Sequence, residues 1–123
     1  MTRLSVITVA YNAEATIERT LQSVAMQRDV EVEYIVQDGA SRDQTLAIVR
    51  RYGDCVTTLV SEPDTGIADA MNRALASVTG DYVFMLHADD RFADPHALAR
   101  VRDVIETNPG RDIYAFDVLK GEG

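Results

Sequence analysis

The sequence predicts an α/β fold, a doubly wound and mostly parallel sheet sandwiched by helices. Short β-branched runs alternate with amphipathic segments along the whole chain. Neither a long linker nor an internal repeat interrupts that alternation. The apolar runs are short as well, reaching five residues at 82–86. Strands that alternate with helical crossovers pair in parallel, and both sheet faces must then be covered, with right-handed connections.

Each element has its own signal. Residues 4–9 read as a buried strand, after which Ile17, Leu21 and Val24 recur at helical spacing in a segment opening near Asn12 or Ala13. Residues 32–36 give a second strand. Ser41 and Gln44 have capping-box spacing and open a helix whose Leu46, Val49 and Tyr52 share an inner face. Residues 56–60 form the third strand. Ile67, Met71, Ala74, Leu75 and Val78 trace the buried stripe of a third helix, ended by Thr79 and Gly80. Residues 82–86 are the fourth strand, the most apolar and taken as the most buried. Asp94 as N-cap and Pro95 at the first helical position start a fourth helix, carried by Leu98, Val101 and Ile105 and stopped by Asn108, Pro109 and Gly110. Residues 113–118 are a fifth strand. Met26, Met71 and Met85 are expected to fill core, Cys55 to act as a small hydrophobe, and Arg50 and Arg51 to form a solvated helix end.

Composition narrows the function. A chain of 123 residues with 12 Lys plus Arg against 20 Asp plus Glu carries a formal charge of −8 and has room for one core. Nucleic acid is not an expected partner, because neutralising phosphates takes clustered basic residues. No apolar run approaches the roughly 20 residues of a membrane span, and the start lacks a secretory signal, so the expected location is cytoplasmic, free or peripheral at the inner face of the membrane. One cysteine supports neither an internal disulfide nor a cysteine zinc site.

In doubly wound sheets ligands bind outside the carboxyl ends of the strands. The residues expected there are Ala10, Tyr11 and Asn12, then Asp38 to Ser41, then Ser61 to Gly66, then His87 to Asp90. Four carboxylates, Asp38, Asp64, Asp89 and Asp90, thus face one crevice. Adjacent acids repel, and a hard divalent ion, magnesium or manganese, is the simplest offset. The plain alternatives are turn chemistry for Asp89 and Asp90 and for Asp38-Gly39, a core position for Tyr11 against base stacking, and a packed histidine at His87.

Four segments resemble the nucleotide-sugar-binding part of the inverting family 2 glycosyltransferases, which have the GT-A fold. They are residues 5–12, 37–45, 61–72 and 80–90, in matching order over nearly the whole chain. The resemblance implies that Ala10, Tyr11, Asn12, Asp38, Asp64, Gly66, Asn72, Ala88 and Asp89 bind the nucleotide. Tyr11 would stack on the base and Asp38 accept from a ring nitrogen. Asp89 and Asp90 correspond to the family's acidic motif, which holds a divalent cation, Mn or Mg, on the diphosphate. The implied partners are a nucleotide-diphosphate sugar donor and a sugar or lipid-linked glycan acceptor.

Two departures stand out. His87 occupies a position where Asp or Asn is common, and the family continues for roughly a hundred residues beyond Gly123 with the acceptor site and general base. None of Glu106, Asp112 and Asp117 matches that base's context. The chain is therefore expected to be a single nucleotide-sugar-binding domain truncated at its carboxyl end. It acts as part of a metal-assisted inverting transferase or as a module that binds without transferring, and it is expected to self-associate. A bacterial surface-polysaccharide role follows the third-loop sequence 62–67. A receiver domain is disfavoured because its acidic pair belongs after the first strand, and a dinucleotide-binding dehydrogenase because the first turn lacks Gly-x-Gly-x-x-Gly.

Overall fold

The computed structural model describes residues 2–108 and the backbone of 119–120. Strands β1 (Leu4–Ala10), β2 (Val32–Asp38), β3 (Thr58–Ser61) and β4 (Tyr82–Met85) form a four-stranded sheet in the order β3-β2-β1-β4, and every pairing is parallel. Register decides where the loops emerge. Ala10 lies opposite Asp38, and Asp38 lies opposite Ser61, so three strands finish in one cross-sheet row. β4 stops lower, with Met85 opposite Ile7. The chain then runs on beside β1, Leu86 N–H donating to the Ile7 carbonyl at 2.8 Å.

Pleating sends alternate residues of the two central strands to opposite faces. One face carries Leu4, Val6, Ala10, Tyr34 and Val36. Three helices cover it: α1 (Ile17–Ala25) through Ile17, Leu21 and Val24, α2 (Thr45–Arg50) through Ile48 and Val49, and α4 (Ala97–Thr107) through Leu98, Val101 and Ile105. The other face carries Ile7, Val9 and Ile35 and is covered by α3 (Ile67–Leu75) through Ala70 and Ala74. Helices on both faces of a parallel sheet make the fold doubly wound, as the alternation of runs predicts. Two further short strands, β5 (Asp90–Arg91) and β6 (Leu119–Lys120), pair antiparallel; no sequence pattern announced them.

Several local expectations are corrected. α1 begins at Ile17, four residues after Ala13, because residues 13–16 form a turn in which Thr16 N–H and Ile17 N–H both donate to the Ala13 carbonyl. Ser41 does not cap α2; its hydroxyl is spent on Asp38, and Asp43 Oδ1 instead receives Thr45 N–H at 2.9 Å. Ile67 and Leu75 are exposed, since the small Ala70 and Ala74 bring α3 close to the sheet and carry its contact. The third strand begins at Thr58, and β4, an edge of the sheet among the described residues, is only half-buried, so β1 and β2 are the buried strands. Met26 is exposed, whereas Met71 and Met85 pack against the α3 side of the core. The expected strand at residues 113–118 lies outside the described residues, as do Asp112 and Asp117.

At the amino end of the sheet, Glu33 is buried on the α3 face. Its carboxylate accepts from the Ser5 hydroxyl at 2.7 Å and from the N–H and hydroxyl of Thr79, each at 2.8 Å. Burial pushes its pKa up, but donation from Thr79 and Ser5 outweighs that, and it is held below the ordinary 4.5. A carboxyl lowered on folding contributes stability that is fully present above pH 4.5 and is lost as pH falls through the lowered value. Glu33→Gln is therefore expected to flatten the acid limb of stability against pH measured by urea melts, and to cost about 1–3 kcal/mol at pH 7. An unchanged acid limb would show that other carboxyls govern acid unfolding.

Candidate functional site

The carboxyl edge of the sheet opens into a cleft of about 680 Å³. It sits where β1 and β4 adjoin, at the reversal of strand order where doubly wound sheets bind ligands. Val9 and Ala10 at the end of β1 border it, with Tyr11, Asn12, Ala13 and Thr16 from the following loop. Asp64, Gly66, Ile67 and Ala70 come from the third loop and the start of α3, and His87, Ala88 and Asp89 follow β4. Tyr11 is 62% exposed, which removes the core reading of this residue and leaves its ring face available.

The first and second loops are fastened to each other by side chains. Asn12 N–H donates to Ser41 Oγ at 2.8 Å and Arg42 N–H to Asn12 Oδ1 at 2.8 Å. Ala13 N–H donates to Thr45 Oγ1 at 2.8 Å, and Gly39 N–H to the Ala10 carbonyl at 2.9 Å. Asn12 and Ala40 take left-handed backbone conformations, with φ of 47° and 63°. Asparagine tolerates that region, whereas alanine adopts it at a cost of roughly 1–2 kcal/mol, which the surrounding bonds offset.

Asp38 lies beneath this assembly and is 0% exposed. Its Oδ2 accepts from Ser41 N–H and Ser61 Oγ, both at 2.8 Å, and its Oδ1 from Ser41 Oγ at 2.5 Å. One carboxylate thus joins the loop after β2 to the end of β3, and Ser41 passes the connection on to Asn12.

The third loop brings Asp64 over Gly39. A Cβ at Gly39 would stand 2.7 Å from Asp64 Oδ2 and 3.4 Å from the Tyr11 ring, so only glycine lets those two side chains close over the second loop. Asp64 Oδ1 accepts from Gly66 N–H at 3.0 Å, and Gly66, at φ 132°, turns the chain into α3. Arg73 on α3 reaches back to this loop, its Nη1 donating to Glu62 at 2.9 Å and its Nε to Asp69 at 3.0 Å. Asp69 is held below the usual carboxylate range, first by donation from Thr65 N–H and then by Arg73.

After β4 the two adjacent acids part company. Asp89 is exposed and borders the cleft, whereas Asp90 is 2% exposed and its Oδ2 accepts from His87 N–H at 3.2 Å. The turn that carries them is pinned from α1, the one Thr20 hydroxyl proton shared between the Ala88 carbonyl at 2.9 Å and the Asp90 carbonyl at 2.5 Å.

Among the described residues bordering the cleft there are two carboxylates, one histidine and no Lys or Arg. No group of three or more His, Cys, Asp or Glu converges on a metal position among the described residues. That donor set fits a magnesium- or manganese-type ion, which takes one or two protein carboxylates and completes its shell from water and phosphate oxygens. It does not fit a structural zinc cage.

The structure brings together Ala10, Tyr11, Asn12, Asp64, Gly66, Ala88 and Asp89 of the residues anticipated from sequence. Asp38 and Asp90 lie just behind the lining, and Asn72 is exposed on α3 without bordering the cleft. Val9, Ala13 and Thr16 went unforeseen as site residues, whereas Ile67 and Ala70 fall within the segment 61–72 that carries the resemblance. Ile67, read as core, is 60% exposed; its place directly after Gly66, at the mouth of a helix, was the available signal. Glu106 accepts from Thr2 N–H at 3.3 Å and does not border the cleft.

Comparison with known proteins agrees with this geometry. The family model for glycosyl transferase family 2 matches residues 5–119. An uncharacterized glycosyltransferase of Mycobacterium tuberculosis is 35% identical over 115 residues, 92% of this chain and 44% of that protein. The crystal structure of S. aureus TarS 1-349 in complex with UDP-GlcNAc superposes with a TM-score of 0.80 at 27% identity, covering 92% of this chain and 37% of that one. The mannosyltransferase PcManGT from Pyrobaculum calidifontis, in complex with GDP-Man and Mn2+, gives 0.78 at 33% identity, covering 85% and 32%. The chain therefore spans less than half the length of each of these proteins. A doubly wound GT-A sheet, a cleft at its strand reversal and a family match across nearly all its residues establish that the chain belongs to glycosyl transferase family 2.

Proposed function

We propose that the cleft binds the nucleoside diphosphate of a nucleotide-sugar donor, whose sugar passes with inversion to a sugar or lipid-linked glycan acceptor. The observation that carries this reading is an exposed aromatic ring and an exposed carboxylate, Tyr11 and Asp89, bordering one cleft in which the described residues offer no Lys or Arg to meet a diphosphate. The UDP-GlcNAc and GDP-Man complexes of the neighbouring structures support it.

In this reading Tyr11 stacks on the base. Asp38, sealed behind the lining, supports the base end from beneath, its carboxylate holding Ser41 and Ser61 and, through Ser41, the loop that carries Asn12. Asp64 and Gly66 flank the ribose and sugar. Asp89 is the cleft-facing ligand for the cation, and Asp90, through His87 N–H, holds the turn that presents it. A divalent ion bound there supplies Lewis-acid stabilisation to the departing diphosphate. A lining whose described residues include no Lys or Arg leaves that charge compensation to the ion. Binding without transfer is the second reading, favoured because both carboxylates bordering the cleft are assigned to the donor. Assaying donor turnover with a supplied acceptor separates the two. No helix among the described residues is long and apolar enough to cross a membrane.

Isothermal titration with uridine, guanosine and thymidine diphosphates is expected to show binding of at least one, weakened about tenfold or more without manganese and in Asp89→Asn. Silence with all three would refute the donor reading. Gly39→Ala, by displacing Asp64, is expected to weaken the same binding about three- to tenfold while the melting temperature moves by about 2 °C or less. Self-association is proposed as well, and a monodisperse monomer in light scattering contradicts it.

A further inference from the structure

We propose that Arg73 is a positioning residue for the donor, its guanidinium holding the loop at residues 62–66 in the shape that presents Asp64 and Gly66 to the cleft. The inference rests on the donor reading given above. Arg73 does not border the cleft; one of its contacts is to the loop and the other is to Asp69, four residues back in α3. Nη1 meets Glu62 Oε1 at 2.9 Å where the loop leaves β3. Nε meets Asp69 Oδ2 at 3.0 Å, and that same oxygen receives Thr65 N–H at 3.0 Å where the loop enters α3. One planar group thus ties the start of the loop to Asp69, the helix residue that holds its end, a geometry that the single ammonium of lysine does not reproduce.

The loop has little else to hold it. Pro63, Thr65 and Gly66 are exposed, and Gly66 has no neighbour within 4 Å of the position a Cβ would take. Its other ties are Glu62 N–H to the Asp38 carbonyl at 2.9 Å, Gly66 N–H to Asp64 at 3.0 Å, Ala70 N–H to the Gly66 carbonyl at 3.0 Å, and a contact at 3.5 Å between Gln37 and Glu62. Both ion pairs of Arg73 are partly exposed, with side-chain exposures of 40% for Arg73, 43% for Glu62 and 28% for Asp69. Pairs of that kind add little to global stability. Their effect falls on the loop, whose ordering would otherwise be charged to ligand binding. Arg73 is held above its usual range by Glu62 first and then by Asp69, and so keeps its charge throughout the working pH range.

The test combines amide hydrogen exchange of the free chain with titration by uridine or guanosine diphosphate plus manganese. Arg73→Ala is expected to speed exchange at Thr65 and Gly66 about tenfold or more and to weaken the diphosphate about five- to tenfold, with the melting temperature changed by about 2 °C or less. Arg73→Lys recovers only part of the affinity. The sign in the carboxylate partners is decisive: Glu62→Gln and Asp69→Asn remove negative charge near an anionic ligand, yet positioning requires them to weaken binding too, and Arg73→Ala with Glu62→Gln to be no worse than Arg73→Ala alone. Tighter binding in those partner variants, or exchange and affinity unchanged in Arg73→Ala while the wild-type chain binds, overturns this proposal alone. A wild-type chain that binds no nucleoside diphosphate overturns it together with the donor reading.

Discussion

A carboxylate sealed from water has to be met by hydrogen bonds, and at Asp38 that requirement organises the carboxyl edge of the sheet. The donors it recruits, Ser41 and Ser61, belong to two different strand ends, and Ser41 in turn accepts from Asn12 on a third. The strand register makes this convergence available, because Ala10, Asp38 and Ser61 stand in one row. Three loops that share no secondary structure are thereby given a common origin. The left-handed conformations of Asn12 and Ala40 are tolerated inside this network, which over-determines the backbone around them.

The same economy governs the rest of the cleft. The two carboxylates that border it are each set by residues that do not: Asp64 by Gly39, which yields it space, and Asp89 by Asp90 and Thr20, which fix the turn beneath it. The two adjacent acids, which read alike in sequence, thus divide the work between contact and support. Among the described residues, a cleft lined this way is preorganised on its protein side and carries no Lys or Arg.

Much of this was legible in the sequence, and the reasons are physical. Four strands and four helices followed from the alternation of apolar runs, because parallel strands buried on both faces must be continuously apolar and their covering helices amphipathic. The edge at which the cleft opens followed from the order of elements, and the acids there from their place after each strand. What stayed hidden depends on contacts distant in sequence. Ser41 has the spacing of a helix cap, yet Asp38 claims its hydroxyl. Ile67 continues the apolar period of α3, yet the alanines that pack closest leave it at the cleft mouth. Asp38 and Asp89 are both acids after strands, and only burial separates the one that ties loops from the one that meets solvent.

The small antiparallel ribbon carries a practical corollary. Lys120 lies opposite Asp90, one residue from the exposed acid at the cleft mouth. A fluorophore or affinity handle attached at position 120 therefore stands beside the rim of the cleft, where it would serve as a proximity reporter or act as a steric plug. Attachment at position 2 avoids both, since it precedes β1 at the opposite end of the sheet from these loops.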